Sequence, residues 1–118
     1  MPCELLEDNA DKLRGILLDL ATRWSLPAEF VTWLTEECRW YNTLVDRIVV
    51  DASPAHPLAA DDRLLITGEP FALWVIEQPE NAPKWIEHPA VLYTTDVTPY
   101  FLRKVRILNG AHTAMACQ

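Results

Sequence analysis

Three side chains near the end of the chain, Lys104, Asn109 and His112, are spaced so that one helix can hold them together. On a wheel drawn at ~100° per residue, Lys104 and His112 fall inside an apolar stripe of Phe101, Val105, Leu108 and Met115, with Asn109 on its margin. Arg103 and Arg106 are expected to point away from that stripe. A lysine on the buried side of a helix either snorkels to water along its own stem or stays partly desolvated, where its amine can serve as a general base or acid. A lone histidine there is most often a core residue with its hydrogen bonds made. As a set, one proton acceptor and two orienting donors match what a carbonyl–alcohol redox reaction needs around the reacting carbon.

Two further stretches bear on chemistry. Asn42-Thr43-Leu44-Val45-Asp46-Arg47-Ile48-Val49 sets an Asp-Arg pair inside an apolar β run. Neighbouring strand residues face opposite sides, so one of the pair meets solvent and the other is paired at an edge. Gly68-Glu69-Pro70-Phe71-Ala72-Leu73-Trp74-Val75-Ile76-Glu77 carries two carboxylates, but the sequence does not give the separation that a glycosidase pair would require. The glycines are Gly15, Gly68 and Gly110 only, so no glycine-rich phosphate loop is present.

These residues must be held by a modest frame. Asn9 to Trp24 reads as a first helix with Leu13, Ile16, Leu17, Leu20 and Trp24 at helical spacing, preceded by the tail of a strand. Pro27 opens a second helix that presents Phe30, Val31, Leu34, Cys38 and Tyr41 inward and runs to about Tyr41. Val45–Val50 reads as a strand, 51–62 as a loop, and Leu64–Thr67 and Phe71–Glu77 as strands broken by Gly68-Glu69-Pro70. Val91–Thr94 is one more short strand. The last helix then opens with Thr98 as N-cap and Pro99 at its first position. Helices and few strands in this order give an α/β chain, mixed α+β as it stands. Its last helix has an apolar face and no evident partner. The pattern is that of a section cut from a longer protein.

Composition narrows the function. The 118 residues are 50% hydrophobic and 23% charged, within the range of a soluble domain. A net charge of −7 argues against nucleic acid, whose phosphates call for basic faces. No apolar run reaches the ~18 residues of a membrane span, and the acidic start is no signal peptide. Cys3, Cys38 and Cys117 are odd in number and far apart, which suits reduced thiols in a cytoplasmic protein and no metal site.

The stretches above, with Pro2-Cys3-Glu4-Leu5, Asp96-Val97-Thr98-Pro99-Tyr100 and Lys104-Val105-Arg106-Ile107-Leu108-Asn109-Gly110-Ala111-His112-Thr113, occur in the order found in the polyol-specific long-chain dehydrogenases. The chain resembles a middle section of that mannitol dehydrogenase family, with most likeness to its tagaturonate reductase (altronate oxidoreductase) branch. The resemblance implies the late part of a Rossmann-type nucleotide domain over 1–96 and the start of a helical domain over 97–118. It also implies NAD as cofactor, a small sugar acid as substrate, and no metal.

By the same resemblance Lys104 is the general acid/base, Asn109 polarises the reacting oxygen, and His112 holds substrate hydroxyls. Val45 and Asp46 lie at the cofactor, and Asp46 also near the substrate. The family's second oxygen-polarising asparagine comes from around Cys3. Here that stretch reads Cys3-Glu4-Leu5, and Asn9 is the nearest candidate. The glycine loop is expected before Met1, and the residues that choose between a carboxylate and a hydroxymethyl end after Gln118. The rest of its own chain is therefore the expected partner. Fructuronate or mannitol as substrate, and a non-catalytic remnant serving as a small binding domain, are the rival readings.

Overall fold

The computed structural model describes residues 1–117. Helix α1 spans Asn9–Arg23; α2 spans Ala28–Thr32 and continues as a π-helical turn over Trp33–Glu37. Five strands follow, β1 (Thr43–Asp46), β2 (Val49–Asp51), β3 (Ile66–Gly68), β4 (Leu73–Glu77) and β5 (Val91–Thr94). The chain then runs through α3 (Thr98–Leu102), a π-helical segment (Arg103–Asn109) and α4 (Gly110–Ala116). Strand β4 is the centre of a three-stranded mixed sheet, antiparallel to β1 and parallel to β5. Val75 and Ile76, adjacent on β4, are both fully buried, so this strand is covered on its two faces, as in a Rossmann-type layer. Leu44, Val75 and Val97 form the core cluster, and Leu73, Tyr100 and Phe101 pack on it. Phe101 thus anchors the last helical run to the sheet.

Several expectations are corrected. Val45–Val50 is not one strand: it divides at Arg47-Ile48, and β2 pairs with β3 in a separate hairpin. The other crossing between the two sheets is Glu69-Pro70. Three hydrogen bonds stitch the crossings together: Arg47 Nε donates to Glu69 O (3.0 Å), Ile48 N–H to Glu69 Oε1 (2.7 Å) and Glu69 N–H to Ile48 O (3.1 Å). Alternating polarity cannot reveal such a change of sheet, because the pattern of side chains continues across it. The second helical run stops at Glu37, where Cys38 turns extended, short of the expected Tyr41. Residues 1–8 form no strand, although Pro2 O accepts the Thr43 hydroxyl beside β1.

Helix α1 also departs from its wheel. Ala10 and Ala21 are its buried apolar residues, while Leu13, Ile16 and Trp24 lie open to solvent. The radius of gyration is 18.5 Å, against about 13–14 Å for a compact domain of this length. With so open a shape, much apolar surface stays uncovered.

The last helical run starts differently from its expected cap. Val97 is the N-cap and Thr98 already helical. The capping acceptor is Asp96, whose Oδ1 takes the Thr98 N–H at 2.9 Å. Hydrogen bonds from Thr98, its side chain first and its backbone second, hold the exposed Asp96 carboxyl below its ordinary value of 3.8. A lowered native pKa stabilises the fold above that ordinary value, and the contribution disappears as pH falls through the native one. Asp96→Asn is therefore expected to remove one component of the acid limb of helix stability. NMR titration of the Asp96 carboxyl carbon alongside the Thr98 amide checks this; titration at the ordinary value would refute it.

Candidate functional site

The site is built where the end of β1 faces the π-helical segment. Asp46 closes β1, and Lys104 reaches it from the second position of that segment. Lys104 Nζ donates to Asp46 Oδ1 at 2.5 Å and to the Val45 carbonyl at 3.1 Å. Both side chains of this ion pair keep only 14% of their surface exposed. An ammonium has three N–H donors, so two are engaged with β1 and one remains for a further acceptor. Arg47, next along the chain and past the end of β1, donates from Nε to the Glu69 carbonyl instead.

Beside the pair opens a cleft of about 640 Å³. Asp46, Glu69, Arg103, Lys104 and His112 give it polar groups, and Ile48, Phe71, Leu73, Ile107 and Leu108 give it apolar walls. Lys104, Asp46 and His112 all line this one cleft. Asn109 lies half-buried outside this lining, and its carbonyl accepts the Thr113 hydroxyl at 3.0 Å. Val45 takes part through its carbonyl alone.

Arg103 and Ile107 were not expected here. A turn closed by i→i+5 bonds holds more residues than an α-helical one, so a wheel drawn at 100° only approximates directions within Arg103–Asn109. Arg103 is exposed, as expected, and also contributes to the lining of the cleft. Glu69 and Phe71 are brought in by the crossing at Glu69-Pro70, for which the Gly68-Glu69-Pro70 break was the available signal. Glu69 and Glu77 do not act as a carboxylate pair. Glu69 accepts from Ile48, whereas Glu77 accepts from Val97 N–H (2.8 Å) and from Asn42 Nδ2 (3.3 Å) at the opposite end of β4.

Asn9 is likewise absent from the cleft. It is 3% exposed, and its amide works as a missing strand neighbour for β1. Nδ2 donates to Thr43 O (2.9 Å), Glu4 O (3.1 Å) and Pro2 O (3.4 Å), and Oδ1 accepts Thr43 N–H (3.0 Å). Nearby, Asn42 Oδ1 accepts the Ala10 and Asp11 amides at 3.0 and 3.3 Å and so caps α1 from a distance of 32 residues along the chain. Both asparagines build the frame. Among the described residues no three His, Cys, Asp or Glu side chains converge to hold a metal ion, and Cys3, Cys38 and Cys117 are unpaired.

Residues 1–87 match the family described as the mannitol dehydrogenase Rossmann domain. The chain belongs to the mannitol dehydrogenase family. It is 44% identical to the altronate oxidoreductase of Bacillus subtilis (strain 168), over 98% of this chain and 26% of that one. The altronate oxidoreductases of Bacteroides thetaiotaomicron and Yersinia enterocolitica are each 41% identical, with the same coverage. The chain thus spans about a quarter of the length of the curated relatives it matches. None of its described helices is long and apolar enough to cross a membrane.

A Rossmann domain of the mannitol dehydrogenase family implies a nicotinamide dinucleotide. The residues present fit its reacting end. Val45 and Asp46 close β1 beside Lys104, and the apolar wall of Phe71, Leu73, Ile107 and Leu108 suits a planar ring. They do not cradle its phosphates: Gly15 lies within α1, Gly68 ends β3 and Gly110 starts α4.

Proposed function

We propose that this chain is part of an NAD-dependent oxidoreductase that interconverts tagaturonate and altronate, with Lys104 as its general acid/base. The observation that carries the reading is the Lys104–Asp46 pair, 2.5 Å apart in a cleft shared with His112. Support for the substrate comes from the printed activity of the relatives.

When bound, the nicotinamide supplies or takes up the hydride. In the reductive direction the Lys104 ammonium gives a proton to the ketone oxygen as that carbon becomes an alcohol. In the oxidative direction the neutral amine takes the hydroxyl proton. Asp46 and the Val45 carbonyl fix Nζ, so the remaining N–H direction is set before substrate arrives. His112, in the lining of the same cleft, binds a neighbouring hydroxyl. A role for Asn109 at the reacting oxygen rests on the family resemblance, since its side chain is not part of that lining. Asn9 has no part in the reaction. Residues 1–96 form the late nucleotide domain and 97–118 open the helical domain, a division supported by the family match ending at residue 87. The exposed apolar side chains Ile107 and Met115 pack on the rest of the protein. Three unpaired thiols suit a cytoplasmic setting.

The test is NADH oxidation by the full-length protein with tagaturonate, fructuronate and fructose, beside the isolated 118-residue chain. Full-length turnover greatest with tagaturonate, and none by the isolated chain, is the expected result. Preference for fructuronate or fructose would refute the substrate assignment. Absence of turnover with all three would favour a non-catalytic binding domain.

A further inference from the structure

We infer that Arg103 binds the carboxylate of the sugar acid and is the residue by which this cleft selects acids over neutral sugars. The inference rests on the function proposed above and adds a specificity residue to it. Four observations converge on Arg103. It lines the cleft that holds Lys104, Asp46 and His112. Among the described residues the one ion pair is Lys104–Asp46, so the Arg103 charge has no carboxylate partner. Its guanidinium carbon sits 5.3 Å from the centre of the Tyr100 ring. A cation–π contact of that kind uses the face of the ring and consumes none of the guanidinium's N–H donors. Neither acid of the cleft pairs with Arg103: Asp46 is bridged to Lys104, and Glu69 keeps its charge but turns Oε1 to the Ile48 amide at 2.7 Å.

A guanidinium without an ion-pair partner at the edge of a substrate cleft can take an anion. Its planar fork fits a carboxylate through two parallel N–H···O bonds, which an alcohol cannot reproduce. In a ketohexuronate the carboxylate ends the six-carbon chain and the ketone is the penultimate carbon at the other end. Lys104 and Arg103, adjacent in sequence but directed to different partners, can address the two ends. Discrimination between a carboxylate and a hydroxymethyl end therefore starts within this chain, not only beyond Gln118.

The experiment compares kcat/KM for tagaturonate and for its neutral counterpart, tagatose, in the full-length protein, as wild type, R103M and R103K. R103M is expected to raise KM for the acid about 10- to 100-fold, the range of one lost charge-assisted contact, with kcat within about threefold of wild type. The acid-to-neutral ratio of kcat/KM should fall by the same factor, and R103K should restore part of it. Equal losses on both sugars, or an unchanged ratio, would overturn the assignment of Arg103 while leaving the parent reading intact. A wild type that prefers tagatose, or reduces neither sugar, overturns the parent reading and this inference with it.

Discussion

In the full-length protein, Lys104→Met is expected to lower kcat/KM for tagaturonate by about 10²- to 10⁴-fold, the usual contribution of a positioned general acid or base. The substitution keeps the apolar stem and removes only the proton carrier. It also leaves the Asp46 carboxylate, 14% exposed, without its partner. A stability loss of about 1–3 kcal/mol should accompany it, the usual cost of stranding a buried polar group. Activity and stability can be separated by adding Asp46→Asn. The double variant removes both charges, so its melting temperature should recover toward wild type while its activity stays low. Steady-state kinetics and thermal unfolding on the same samples make the measurement. If the double variant regained turnover along with stability, Lys104 would be a fastening of the helix to β1 and nothing more.

The second large effect concerns the frame. Asn9→Asp changes almost no volume but replaces the donor that faces the carbonyls of Pro2, Glu4 and Thr43 with an acceptor. With the site 3% exposed, water cannot compensate. About 2–3 kcal/mol of stability should be lost, in line with buried carbonyls deprived of their partners. Asn9→Leu should lose a similar amount, because the buried Thr43 N–H then has no acceptor. For both variants the protein that remains folded should keep kcat and KM within a few-fold of wild type. A raised KM with unchanged denaturant midpoint would instead return Asn9 to the substrate site.

The contrast between these two residues shows what a sequence can reveal. Lys104 and His112 share a side of one helix, and helical spacing is local information, so a wheel brings them together. Asn9 and Thr43 are 34 positions apart, and nothing local marks an asparagine as a strand surrogate. Its place near Cys3 made it look like a ligand for substrate when it is a ligand for the backbone. Arg103 is exposed as the wheel expected, but nothing local shows that it also borders the cleft, because the cleft exists only once the last helical run meets the strands. The adjacent Asp46 and Arg47 were expected to face apart by strand alternation, but β1 ends at Asp46 and the rule does not reach Arg47. Where that strand ends was not legible. Ile48 continues the apolar run, and only its pairing with Glu69 shows that the chain has left the first sheet.

The widened turns of Arg103–Asn109 also bear on how the site tolerates change in chain length. A wide turn accommodates an extra residue without breaking the helix. Deleting one residue between Lys104 and His112 would let the backbone relax to ordinary α-helical pitch, with every hydrogen bond still made. Because the wide turns already absorb one residue, the later side chains would keep nearly the same phase around the axis. The helix would survive with His112 still on the side of the cleft. The widened turns therefore buffer the site against a one-residue deletion, which in an ordinary α-helix would turn every later side chain by about 100°.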